Sequence, residues 1–222
     1  MQESHVPHSA IISLVFIIFL ENYYFSYMTT DDSKNVHKAK VALRHAALER
    51  RNSTTREQQH EAGLQLRDVF AQSSLFTNLM QRSEPACIAA FESFGTEIDT
   101  EPLLTLLAQH DVRVLVPELG ESGRQLSWRW RGQLNAALDP EILEQADLVL
   151  VPGLRFDRDG WRLGRGIAWY DRALSYRRST TAAIGVCWPW EFNSTNADVP
   201  HEAHDVPMQA VMTPDGFTMI QQ

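Results

Sequence analysis

Residues 151–171, VPGLRFDRDGWRLGRGIAWYD, interleave Gly153, Gly160, Gly164 and Gly166 with Arg155, Arg158, Arg162 and Arg165. Glycine lets backbone N–H groups approach an anion, a following helix adds partial positive charge at its N-terminus, and guanidinium groups offer forked donors. That combination is built for phosphate. It contains no GxxxxGK(S/T), and read as GxGxxG it puts Trp169 where the third glycine belongs. Without wider context, a Gly/Arg loop is as readily a plain connection. Lys40 and Arg44 lie four residues apart, on one face of any helix that carries them, and taken alone describe solvated surface cations equally well. His201, Glu202, His204 and Asp205 invite a zinc reading. HExxH, however, needs histidines four apart on a helix, and these are three apart just after Pro200, so zinc is not expected.

The elements that must hold these groups alternate between helix and strand. A first amphipathic helix is expected over 34–50, and a second opens at Ser53 or Thr54, with Thr54 and Glu57 as a capping box, and continues past Phe70. CIAAF (87–91) reads as a strand, Thr100-Glu101-Pro102 as a capped helix start, and VRVLVP (112–117) as the next strand. Residues 126–130 suggest a short exposed strand, Asp139-Pro140 a further helix start, and LVLV (148–151) a buried strand of the parallel type. After the Gly/Arg loop come a helix over 167–178, a strand over 182–186 and a hairpin over 211–220 that turns at Pro214-Asp215-Gly216. This is an α/β pattern with a mostly parallel sheet flanked by helices. Ligands of such sheets sit beyond the carboxyl ends of the strands, at the loops after Phe91, Val151 and Val186.

The chain has 222 residues, 44% hydrophobic and 22% charged, enough for one cored domain, expected over 38–222, and too few for a two-domain enzyme. The net charge of −8 gives no general attraction to nucleic acid or anionic membrane, so anion binding must be local. Cys87 and Cys187 form no CxxC pair, which suits a reducing, cytoplasmic setting rather than a disulfide framework. The apolar run 10–20 is shorter than the ~20 residues that span a bilayer and lacks the flanks of a signal peptide. Residues 1–37 are therefore expected to be a disordered leader or an extension upstream of the working start at Met28, and a membrane role is not expected.

Arg162-Leu163-Gly164-Arg165-Gly166-Ile167-Ala168-Trp169-Tyr170-Asp171 resembles the RLG(Y/R)GxGYYD signature of the 5-formyltetrahydrofolate cyclo-ligase family, also called 5,10-methenyltetrahydrofolate synthetases. Val151-Pro152-Gly153-Leu154 and Phe156-Asp157 match its lead-in, and Lys40 with Arg44, residues 93–100 ending in Glu97-Ile98-Asp99-Thr100, and Pro200-x-Glu202-x-x-Asp205-x-Pro207 match in the family's order. The resemblance implies a three-layer sheet of the NagB/RpiA/CoA-transferase kind and an ATP- and Mg²⁺-dependent closure of 5-formyltetrahydrofolate to 5,10-methenyltetrahydrofolate, releasing ADP and phosphate. It further implies that Lys40, Arg44, Arg162, Leu163, Gly164, Arg165, Gly166 and Tyr170 hold ATP, and that Arg44, Glu97, Arg165, Gly166, Ile167, Ala168 and Trp169 hold the folate. Arg165 and Tyr170 are its catalytic candidates, and Asp171 and Asp205 its Mg²⁺ ligands. The partners are then the two substrates, with a monomer or small homo-oligomer expected.

The chain departs from the family at three places. Ile167, Ala168 and Trp169 replace a glycine-rich centre, where added side chains crowd backbone that should approach a ligand. Residues 131–146 are too short for a Gly-Ile-x-Glu-Pro-like element, and Cys187-Trp188-Pro189-Trp190-Glu191 lacks the family's glutamine. Two other readings remain open: a non-catalytic nucleotide- or folate-binding relative, and a sugar-phosphate or CoA-handling enzyme of related fold, the latter on fold analogy alone.

Overall fold

A computed structural model describes residues 31–119, 126–133 and 137–221. The chain divides into units 1–39 and 40–222. The described part of the first, 31–39, is helical. The apolar run 10–20 and Met28 lie outside the described residues.

In chain order the elements are α1 (Asp31–Arg51), α2 (Arg56–Ala71), α3 (Ser74–Met80), β1 (Cys87–Ala89), α4 (Glu101–Gln109), β2 (Arg113–Leu119), β3 (Leu126–Trp130), β4 (Leu148–Pro152), β5 (Arg155–Asp157), β6 (Arg162–Leu163), α5 (Trp169–Leu174), β7 (Ala182–Val186), β8 (Phe192–Asn193), β9 (Ala210–Thr213) and β10 (Gly216–Met219). Seven strands make one sheet, ordered β10-β9-β7-β4-β1-β2-β3. Its inner members run parallel, while β3 and β10 pair antiparallel at the edges. The period of two along each strand explains why LVLV lacks polar residues. Leu148 and Leu150 enter the core under α2 and α4, while Val149 and Val151 enter the opposite core with Leu143, Ala173 and Leu174. Both faces are covered, which gives three layers.

From β1 the chain moves to β2 on one side and returns to β4 on the other. Loops leaving β1 and β4 therefore diverge and open a crevice at their carboxyl ends, the usual ligand position in an open parallel sheet. A second sheet, β6-β5-β8, stands beyond this edge. Its core of Leu154, Leu163 and Val199 packs on Leu43, Ala47 and Leu48 of α1.

Several expected boundaries shift for local reasons. The cap of α2 is Thr55, whose side chain accepts from Gln58 N in a reciprocal capping box; Thr54 donates instead to Arg51 O. That helix ends at Ala71, and Ser73 caps the separate α3 through Phe76 N. Thr100 does not cap α4 with its side chain; its hydroxyl donates to Phe91 O, and Asp99 receives Glu101 N. The strand expected over 87–91 pairs only over 87–89. β3 is not exposed, since Leu126 and Trp128 are buried. Asp139-Pro140 opens a 3₁₀ turn, Pro140–Gln145, rather than an α-helix. Within the shortened segment 131–146, residues 134–136 lie outside the described residues. The helix expected over 167–178 is only α5, entered through a left-handed Ala168.

Candidate functional site

Lys40, Arg44 and Arg51 occupy i, i+4 and i+11 of α1, within roughly 40° of arc at 3.6 residues per turn. Each grips a different piece of the carboxyl edge. Lys40 Nζ lies 2.6 Å from Asp205 Oδ2 and 3.1 Å from Glu202 Oε2. Arg44 Nε donates to Gly164 O at 2.9 Å, inside the Gly/Arg loop. Arg51, 3% exposed, donates Nε and an Nη to the two oxygens of Glu191 at 2.6 and 2.7 Å, and to Gly153 O at 2.6 Å.

The loop after β1 brings Glu97 to the crevice, 7% exposed. Arg165 crosses from the Gly/Arg loop and donates to Glu97 Oε1 at 3.1 Å, its guanidinium 4.5 Å over the ring of Phe94. Glu97 Oε2 accepts Phe94 N at 3.2 Å. Phe94, 60% exposed, thus forms the rim beside this pair. The two arginines of the signature differ in kind. Arg165 is a third exposed, whereas Arg162 is buried and donates to Asp171 Oδ2 at 2.7 Å and Pro152 O at 3.4 Å. Tyr170 has a buried hydroxyl with no hydrogen-bond partner among the described residues, its ring 5.8 Å from the Arg162 guanidinium. Burial, with the nearby Glu97 charge, pushes that phenol well above its ordinary range despite Arg162. An orphaned buried hydroxyl has the polarity to meet a ligand or a bound water.

Two glycines of the loop are there for space and backbone. At Gly164 a Cβ would meet Arg162 Nη1 at 2.6 Å, and Gly166 has φ +101 with the Arg44 guanidinium 3.3 Å from where a Cβ would lie. Leu163 is buried in the small core, while Ile167, Ala168 and Trp169 lead into α5. Ala168, at φ 53, holds a left-handed conformation that a glycine would take without strain.

Asp171 and Asp205 come to adjoining positions, for Asp171 Oδ1 lies 3.4 Å from Val206 N. Each already has one oxygen held by a cation, Arg162 or Lys40. The other is loosely engaged: Asp205 Oδ1 has His204 Nε2 at 3.8 Å. Hard oxygens from the first turn of α5 and the adjoining loop fit a small divalent cation completed by water and phosphate. Glu202, His204 and Asp205 also cluster, with ligand atoms within 4.8 Å of one another. His201 does not join them, being stacked on Trp161 at 3.7 Å between ring centres.

Asp157 is the scaffold under this arrangement. Fully buried, it accepts the backbone N–H groups of Asp159 and Trp161 on one oxygen and of Asp198 and Val199 on the other, tying the Gly/Arg loop to the segment that leads to Asp205. Sequence reasoning missed Arg51 and Phe94. Only the shared helical face of 40, 44 and 51 could have signalled the first, and an exposed aromatic before a glycine gives no signal for the second.

A crevice at the strand-order reversal, a Gly/Arg loop and a carboxylate facing it across the gap define an α/β protein with a polar, charge-paired crevice at the carboxyl edge of its sheet. Residues 36–214 match the 5-formyltetrahydrofolate cyclo-ligase family, and the chain belongs to it. It is 35% identical over 144 residues to the 5-formyltetrahydrofolate cyclo-ligase of Mycolicibacterium smegmatis, covering 57% of this chain and 73% of the relative. To the Escherichia coli enzyme of that name it is 29% identical over 182 residues, covering 75% and 95%. The 5,10-methenyltetrahydrofolate synthetase structures from Aquifex aeolicus and Mycoplasma pneumoniae share its fold at 20% identity, with TM-scores of 0.65 and 0.62. They cover 82% and 79% of this chain and 93% and 98% of their own.

Proposed function

We propose that this protein closes 5-formyltetrahydrofolate to 5,10-methenyltetrahydrofolate at the expense of ATP. The observation that carries this reading, beside family membership, is Arg165 bridging from the Gly/Arg loop to Glu97 across the crevice, which puts a phosphate-side cation and a pterin-side acceptor within one hydrogen bond. A formamide oxygen is a poor leaving group. Attack of that oxygen on the γ-phosphorus releases ADP and leaves the formyl oxygen phosphorylated; the neighbouring amine nitrogen then attacks the formyl carbon and gives up its proton, and the C–O bond breaks to release inorganic phosphate as the ring closes. Such a transfer needs positioning and charge neutralisation rather than a covalent protein nucleophile.

Arg165 sits closest to the transferred group, where a forked, permanently charged donor stabilises spreading phosphoryl charge. Lys40, Arg44, Arg162 and the backbone from Leu163 to Gly166 hold the triphosphate, while Glu97 accepts from the pterin's N–H donors. Ile167, Ala168 and Trp169 line the folate side with Arg44 and Gly166, and the Tyr170 hydroxyl meets a bound oxygen. Asp171 and Asp205 would hold Mg²⁺, which supplies positive charge to the phosphates when bound. No helix among the described residues is long and apolar enough to cross a membrane; with two buried, unpaired cysteines this suits a cytoplasmic enzyme.

The test is the ultraviolet absorbance of the methenyl product from purified protein, 5-formyltetrahydrofolate, ATP and Mg²⁺. Product that disappears when ATP or metal is omitted is expected. A folded protein that binds ATP yet makes no product would overturn the catalytic assignment in favour of a binding relative.

A further inference from the structure

We propose that Arg51, held by Glu191, is a positioning residue that fixes the Glu97 carboxylate for the folate substrate. The inference rests on the function proposed above and adds to it a pair of residues that touches neither substrate.

Arg51 is the point at which three strand-end loops meet. It donates to Glu191 in the loop after β7 and to Gly153 O in the loop after β4, and its third nitrogen stands 4.0 Å from Glu97 Oε1 in the loop after β1. These are the loops around the strand-order reversal, so one guanidinium sets their mutual spacing. Glu191 is buried as deeply as its partner, 2% exposed, and its Oε2 also accepts Trp188 N at 3.1 Å, which locks its rotamer.

A buried ion pair is a poor way to gain stability, because removing two charges from water offsets most of their attraction. Burial indeed pushes the Glu191 carboxyl upward even with Arg51 against it. What the pair provides is placement. Glu191 and Gly153 O take Nε and one Nη of Arg51 and fix the plane of the guanidinium, which holds the remaining Nη 4.0 Å from Glu97, beyond hydrogen-bond distance. A small cavity of about 10 Å³, with Arg51, Phe91, Glu97 and Cys187 among its lining, lies beside this gap. Glu97 is thereby left with Arg165 on one oxygen and Phe94 N on the other, turned toward the crevice with fixed positive charge behind it. Without Glu191, Arg51 would pair with Glu97 and turn it away from the pterin.

The experiment measures kcat and KM for each substrate, together with Tm, in wild type, Glu191→Gln, Arg51→Lys, Glu97→Gln and the Glu97→Gln/Glu191→Gln double variant. In Glu191→Gln and Arg51→Lys the KM for 5-formyltetrahydrofolate is expected to rise at least ~10-fold, the scale of a misplaced contact, with KM for ATP within about twofold. The double variant should show no further rise over Glu97→Gln, because residues acting through one another are not additive. A purely structural pair gives another pattern: lower Tm and folded fraction with unchanged KM, or effects of the two Gln variants that multiply. Either result overturns the inference, as does failure of both conservative single variants to fold. Absence of turnover in the wild type would instead overturn the proposed function.

Discussion

Arg162 and Arg165 stand three apart in one signature, and only their surroundings separate what their removal does. Arg165 keeps a third of its side chain in solvent and makes one ion pair, a contact worth under about 1 kcal/mol. Arg165→Ala should therefore leave Tm nearly unchanged while kcat falls at least about a hundredfold, the scale of a lost charge-stabilising donor. Parallel loss of Tm and activity would make it a structural residue. Arg162→Ala, by contrast, strands Asp171 in a buried site, where breaking a pair costs about 3–5 kcal/mol. Ala168 offers the opposite kind of change. Its left-handed backbone costs an alanine roughly 1–2 kcal/mol, of which glycine's larger unfolded-state entropy returns roughly 0.5–1. Ala168→Gly should raise Tm by ~1–3 °C; a fall would show that the Ala168 methyl contributes packing that outweighs its strain.

At the scale of elements, α2 fixes the loop that carries Glu97. Asp99 N donates to Gln59 O at 3.2 Å and its carboxylate pairs with His60, while at Gly63 a Cβ would stand 2.1 Å from Asp99 O. Backbone must move to admit a methyl group there. Gly63→Ala should destabilise by about 1–3 kcal/mol, as overpacking does, and raise KM for the folate more than for ATP, since Glu97 is two residues from the clash. Denaturant titration and the two KM values decide it, and an unchanged folate KM would show that the loop yields without moving Glu97. The order of elements was legible because parallel strands buried on both faces read as apolar runs, such as 148–151 and 182–186. Their ends were not, because tertiary hydrogen bonds decide them. Thr100 spends its hydroxyl on Phe91 O, and α5 stops at Leu174 after a left-handed entry that no helical period announces. The site was legible where glycine, arginine and aspartate crowd one segment. It was hidden where its members are scattered single residues, as with Arg51 and Glu191, 140 positions apart.

For the molecule as a whole, buried acids and the balance of charge set two conditions on stability and binding. Burial pushes the Cys87 thiol up to about 11 and Cys187 and Tyr170 in the same direction. Below pH 8 these groups are protonated in folded and unfolded chains alike and contribute nothing to pH dependence. Above the ordinary thiol range the unfolded chain gives up protons that the native one keeps, so stability should fall as pH rises toward 11. Urea midpoints at pH 8 and pH 10 measure this, and Cys87→Ala should reduce the fall; an unchanged slope would mean the thiol ionises as readily in the native state as in the unfolded one. On the function proposed, charge balance decides how ATP enters. The chain carries −8 overall, and at the site Lys40, Arg44, Arg51, Arg162 and Arg165 face Glu97, Asp171, Glu191, Glu202 and Asp205, which cancels their charge. A site with no surplus charge in a negative molecule gives a bare triphosphate no net long-range attraction, and leaves its binding to donors already engaged by carboxylates. The positive charge has to arrive with the nucleotide, so chelating Mg²⁺ should weaken ATP affinity at least ~10-fold, a coupling of about 1.4 kcal/mol. Calorimetric titration of ATP with Mg²⁺ and with EDTA measures it. Equal affinity would mean that the arginines release their carboxylates to the phosphates, and would remove Asp171 and Asp205 from metal binding.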